Sequence, residues 1–335
     1  MFAFFLVSAA FGQNARSEDS LFQIALKQHY GVKPKHLSYQ GLSERIDSTL
    51  LSNWVGNVKN TKDPTPFLDF LNPDFPEFTQ SLTYRFHPDY AKLAHFQNFY
   101  RWTQRFHAER FVLINIAANE LVFYEKQQPI LRMNVIVGTR KNQTPTMATV
   151  ADAVIVYPYW TATRNIALNE ILPKVQQNVA YLRQNNFEVI NDKGKVINPY
   201  AVDWSELNTS NFNYRFRQGT GCENALGLMK INIQNPYSVY MHDTPHTENS
   251  QSLFQREKRF FSHGCIRLQK PLELANLLRP SRNIDQQLME YCKTNEIPEV
   301  IELKEPVPVF VMYFTDYIDQ SGEWKSVEDH YGWMK

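Results

Sequence analysis

Three β-rich runs follow one another with barely room to turn: residues 111–116, 120–124 and 131–137. Each is dense in β-branched and aromatic side chains, and the connectors Ala117-Ala118-Asn119 and Lys126-Gln127-Gln128-Pro129 are of hairpin length. Gly138 closes the third run. Strands are expected again at 150–158, 238–241 and 307–314. Before residue 110 the pattern differs. Leu21, Ile24, Ala25 and His29 recur at helical spacing, then Pro64, Pro66, Pro73 and Pro76 break the chain into short pieces, and 90–106 reads as an aromatic-rich helix. The expected class is α+β: an α-helical N-terminal scaffold over 13–106, then a mainly β domain over 107–335 with flanking helices at 271–278 and 285–294. An insertion over about 160–216, rich in Asn, Gln and Tyr, interrupts the strands. It carries a predicted helix over 172–185, with Pro173 tolerated in its first turn. Its length suits a capping or binding element.

Charge narrows the partners. The 35 basic and 34 acidic residues leave a formal charge of +1, which offers no footprint for nucleic acid or an anionic membrane. Residues 2–11 form an apolar run too short to span a bilayer, and Ala10-Phe11-Gly12 follows as a cleavage-like site. A signal peptide over 1–12 is the expectation. No Lys or Arg precedes the run, as it would if translation began further upstream. No later segment is apolar for long enough to cross a membrane. The mature chain is therefore expected outside the cytoplasm, in the periplasm. Three cysteines, Cys222, Cys265 and Cys292, leave at least one thiol unpaired there.

The chemistry concentrates in two segments, Tyr240-Met241-His242-Asp243-Thr244-Pro245 and, 23 positions from His to Cys (265 − 242), Phe261-Ser262-His263-Gly264-Cys265-Ile266-Arg267. The second carries too many polar groups for a plain core strand. Gly264 clears a side chain beside Cys265, so that a substrate carbonyl can approach backbone N–H groups able to hold an oxyanion. Arg267 and His263 bring positive charge, which favours a thiolate. His242 stands at the end of a strand, where a site would lie. A Cys–His pair needs the second imidazole nitrogen held by a third group, and Asp243 offers a carboxylate or a carbonyl. Zinc is the alternative chemistry, with His242, His246, His263 and Cys265 as donors. Pro245, between His242 and His246, argues against their sharing a helix.

These residues resemble the L,D-transpeptidase catalytic domain family (YkuD-type): a His, an intervening loop, then Ser/Thr-His-Gly-Cys with a polar tail. They are most similar to its large Gram-negative branch with a capping insertion. Gln143-Thr144-Pro145, Asn224-Ala225-Leu226-Gly227, Leu253-Phe254 and the C-terminal run 306–314 fit as well, and the resemblance covers residue 97 onward. It implies a β-rich sandwich, no metal and no cofactor. Cys265 would be the nucleophile, His242 the base, the Asp243 carbonyl its orienter, and the N–H groups of Gly264 and Cys265 the oxyanion hole. Ser262, His263 and Arg267 would meet substrate carboxylates, with Tyr240 and Trp160 as pocket walls. The implied partners are peptidoglycan stem peptides, joined by 3→3 cross-links, with carbapenems as acylating inhibitors. Water as acceptor would make a carboxypeptidase or amidase, and a protein amine an anchoring enzyme. A silent peptidoglycan-binding scaffold is the non-enzymatic alternative. Two departures stand out. No recognisable peptidoglycan-binding module occurs, and Gly219-Thr220-Gly221-Cys222 replaces a Pro-Gly-Pro-like run. Cys222 there could pair with Cys292, lie near the site, or be buried.

Overall fold

The computed structural model describes residues 17–61, 63, 65–287 and 296–334. The signal peptide expected over 1–12, Cys292, and the helix expected over 285–294 from residue 288 on lie outside the described residues.

The N-terminal part is built from α1 (Glu18–Tyr30), α2 (Ser48–Val58), α3 (Pro76–Leu82) and α4 (Ala94–Thr103). Ser17 and Asp47 cap the first two by accepting hydrogen bonds from early backbone N–H groups. Leu21, Ala25 and Tyr30 of α1 pack with Leu51, Trp54 and Val55 of α2. This scaffold is not separate from the sheet. The short strand β1 (Tyr39–Gln40) lies parallel to β5 (Met147–Val156), and α4 buries Phe96, Phe99, Tyr100 and Trp102.

The strands that follow are β2 (Arg110–Asn115), β3 (Glu120–Glu125) and β4 (Gln128–Gly138), then β5. The β3–β4 turn is tighter than the sequence suggests. Only Lys126 and Gln127 form it, both at positive φ (49° and 62°), as a two-residue hairpin turn requires. After the insertion come β10 (Met229–Ile233), β11 (Met241–His242), β12 (Phe260–Ser262), β13 (Ile266–Leu268), helix α7 (Pro271–Leu277) and β14 (Glu299–Met312). The sheet runs β5-β10-β11-β13-β4-β3-β2-β14, and β14 bonds to β5 as well, so it closes on itself. Alternation does the sorting. Val112 and Ile114 of β2 point inward to a core with Met241, Ile266 and Val309. Phe111 and Leu113 point outward to α4. The class is α+β, mainly β.

The capping insertion holds a second, four-stranded sheet that periodicity did not reveal: β6 (Trp160–Thr161), β7 (Phe187–Ile190), β8 (Val196–Ile197) and β9 (Arg215–Gln218), in the order β6-β9-β7-β8. The helix expected over 172–185 is two, α5 (Leu172–Gln177) and α6 (Ala180–Gln184). They part at Asn178, which is extended and whose side chain caps Ala180 N–H at 3.0 Å. Pro173 lies in the first turn of α5, as expected. A wide turn, Ala167–Ile171, precedes it and relieves the clash its ring would make with a carbonyl of the preceding turn. No helix among the described residues is long and apolar enough to cross a membrane.

Candidate active site

Strand register gathers the site. β11 and β13 are parallel, with Met241 opposite Ile266 and His242 opposite Arg267. Met241 and Ile266 are fully buried in the core. Their neighbours of opposite parity, Tyr240, His242, Cys265 and Arg267, therefore share the other face. The strand expected over 238–241 is shorter than that, because Ser238 takes positive φ (55°) and only Met241–His242 pairs.

Cys265 sits in a turn braced from within. Gly264 has φ +112°, a region L side chains avoid. The Ser262 hydroxyl accepts from Gly264 N–H at 3.0 Å and donates to the Cys265 carbonyl. Ser262 is 2 % exposed. Two expectations are corrected here. Ser262 is a strut beneath the turn and not a contact for substrate. The Gly264 N–H is already engaged, so it is not an open oxyanion donor; among the described residues no such partner occupies Cys265 N–H. A second strap comes from Gln143-Thr144-Pro145. Thr144 Oγ1 accepts from Gly138 N–H and donates to the Gly264 carbonyl, both at 2.9 Å. A side chain at Gly138 would strike this strap, since a Cβ there would lie 2.0 Å from the Asn142 carbonyl oxygen.

His242 is 4 % exposed. Its Nδ1–H donates to the Asp243 carbonyl, which leaves Nε2 as the acceptor nitrogen. The Asp243 carboxylate is turned elsewhere: Oδ2 accepts from Leu228 N–H at 2.9 Å and from His246 Nε2 at 2.8 Å. The Asn224–Gly227 turn lies beneath it, with Asn224 bonded to the Pro158 and Gly219 carbonyls. His246 Nδ1 in turn stands 3.6 Å from Cys222 Sγ, and Cys222 is disulfide-bonded.

The electrostatics differ from the sequence expectation. Burial pushes the Cys265 thiol up, although Tyr240, Lys230 and Arg267 pull the other way. His263 Nε2 pairs with Glu170 of the insertion at 2.7 Å. Burial also drives His242 down to about 3; the positive charges of Arg267 and Lys230 add to this, and the Asp243 carbonyl opposes it. At neutral pH both Cys265 and His242 are uncharged. Trp160 stands close enough to Tyr240 to act on its hydroxyl, and Glu170 pairs with His263, so the insertion reaches the site at two points.

Lys230 escaped the sequence reading. It faces His242 across β10 and β11, and its Nζ lies 4.2 Å from the centroid of the Tyr240 ring. The signal was the alternation Met229-Lys230-Ile231-Asn232-Ile233, which gains meaning only once the register with His242 is known. The donors weighed for zinc are divided among separate partners, with His246 on Asp243 and His263 on Glu170. Among the described residues no three His, Cys, Asp or Glu side chains form a metal-ligating group.

Comparison with known proteins assigns the class. The model of the YkuD L,D-transpeptidase catalytic domain matches residues 109–301, and the chain belongs to that family. A Haemophilus influenzae protein described as "Putative L,D-transpeptidase" is 30% identical over 222 residues, covering 66% of this chain and 44% of that protein. The chain thus spans less than half the length of this relative. Among solved structures, an L,D-transpeptidase from Mycobacterium smegmatis matches at 13% identity over 61% of this chain and 59% of its own, with a TM-score of 0.26. The E. faecium catalytic domain acylated by ertapenem matches at 12% identity over 61% of this chain and 98% of its own, with a TM-score of 0.27.

Proposed function

We propose that the protein is a peptidoglycan L,D-transpeptidase that forms 3→3 cross-links through a Cys265 thioester. The observation that carries this reading is the β11–β13 register, which sets Cys265 and His242 on one face, with His242 Nδ1–H held by the Asp243 carbonyl. In the first half-reaction Sγ attacks the carbonyl of the third stem residue, a diaminopimelate. His242 Nε2 takes the thiol proton. The C–S bond forms, the bond to the terminal D-alanine breaks, and the departing amine takes the proton from His242. In the second half the side-chain amine of another stem attacks the thioester, gives its proton to His242, and releases Cys265. In this reading Cys265 N–H serves as an oxyanion donor, and Arg267 suits a donor carboxylate. The reading brings export with it, since the substrate lies outside the cytoplasm.

Intact-protein mass spectrometry after incubation with a carbapenem tests it. Wild type is expected to gain one adduct, and Cys265→Ala none. A folded, reduced wild type that stays unmodified overturns the reading.

A further inference from the structure

Lys230 stands over the reacting face without a counter-charge. Its pairing with His242 puts its side chain beside Tyr240, whose side chain approaches Cys265 Sγ. Among the described residues neither Lys230 nor Arg267 enters an ion pair. The carboxylates in the vicinity are engaged, Asp243 by Leu228 N–H and His246, Glu170 by His263. Lys230 is half-buried, and burial lowers its pKa. A partly dehydrated ammonium resting on an aromatic ring and lacking an anion costs free energy that a bound carboxylate would offset.

We infer that Lys230 is a specificity residue that receives the free terminal carboxylate of the departing donor residue. This rests on the proposed reaction and sharpens it. In a stem that ends one residue past the scissile bond, a single N–Cα unit separates the terminal carboxylate from the carbonyl under attack. When that carbonyl sits at Sγ, the carboxylate comes within reach of the face that Lys230 shares with His242 and Tyr240. A donor that continues by another residue, or ends in an amide, brings no anion there. Arg267, across the strand from His242, remains for a second carboxylate. Lys230 thus reads where the donor chain ends.

The test uses the full chain, Lys230→Met and Lys230→Arg, in two arms. The first compares alkylation of Cys265 by iodoacetate and by iodoacetamide, which differ in the carboxylate. The ratio of rates is expected to fall about tenfold in Lys230→Met, equivalent to ~1.4 kcal/mol, and to be restored in Lys230→Arg. The second compares a tetrapeptide donor with its C-terminal amide. Wild type is expected to prefer the acid in kcat/KM by about tenfold or more, mainly through KM, and Lys230→Met to lose that preference. An unchanged alkylation ratio overturns the assignment. So does an equal loss on acid and amide donors, which a merely structural lysine would produce. If wild type turns over neither donor, the proposed reaction fails while the alkylation ratio still decides the role of Lys230.

Discussion

Lowering the pH should unfold this protein partly through His242, and the size of the effect can be worked from the site. In the folded chain the imidazole titrates near 3, against an ordinary value of 6.5. Between those values the unfolded chain binds a proton that the folded chain refuses. Stability therefore falls as pH drops below about 6.5. At pH 5 the linkage amounts to about 2 kcal/mol, and at pH 7 it has almost vanished. No discount for solvent screening applies, because the ring is 4 % exposed. His242→Asn removes the titration while its amide N–H can still reach the Asp243 carbonyl. Other groups change with pH as well, including His246, which its bond to Asp243 raises, but they remain in both proteins and cancel in the comparison. Urea unfolding at pH 7 and pH 5 gives the four free energies needed. The variant should lose about 2 kcal/mol less than wild type between the two conditions. Parallel losses, within about 0.5 kcal/mol, would refute the claim that the resting imidazole is held neutral by its surroundings.

Thr144→Val keeps the shape of the strap under Gly264 but strands Gly138 N–H and the Gly264 carbonyl. It should cost about 2–3 kcal/mol in thermal or urea unfolding. Gly138→Ala should be at least as damaging by the same measurement, about 2 kcal/mol or more, because backbone and not a flexible side chain stands in the way. Lys230→Met should raise the His242 pKa, read by NMR titration of the ring, since it removes one of the two positive charges that depress it. A fall would contradict the placement of that charge.

Some of this was legible from the residues and some was not, for physical reasons. The hairpin strands announced themselves because β2 and β3 are buried on both faces and rich in β-branched and aromatic side chains, while β4 alternates buried Leu131, Met133 and Val135 with half-exposed Arg132 and Asn134. The Cys265 and His242 segments were legible because a polar, Gly-containing cluster has no place in a core strand. β11 and β13 were not legible as partners. Each has two or three residues, too few for periodicity, and their pairing spans a loop. Ser262 was misread for a related reason. A hydroxyl next to a reactive cysteine suits contact with substrate and bracing of a turn equally well, and only burial distinguishes the two. The charge on Arg267 was read correctly in sign, but its competitor, burial of the thiol, is a property of the folded surroundings. The insertion's sheet was hidden because β6 and β8 are two-residue strands.

Lys230 and Arg267 act on Cys265 and His242, the two groups proposed to react, in opposite senses. They favour a thiolate on Cys265 and disfavour a proton on His242. Moving a proton from sulfur to imidazole therefore gains at one end most of what it loses at the other. The cations do not by themselves create a standing ion pair, and burial keeps both groups neutral. A neutral thiol is a poor nucleophile and a poor target for oxidation, because both reactions run through the thiolate. That suits an unpaired cysteine in the exported setting proposed here, in a chain whose Cys222 is already disulfide-bonded. A donor that brings carboxylates to Lys230 and Arg267 neutralises the charges that hold His242 away from its proton. In the proposed reaction the same carboxylates would also loosen the hold of these cations on a thiolate, so what the imidazole gains in basicity is offset at sulfur and the balance of the transfer stays close to that of the empty site.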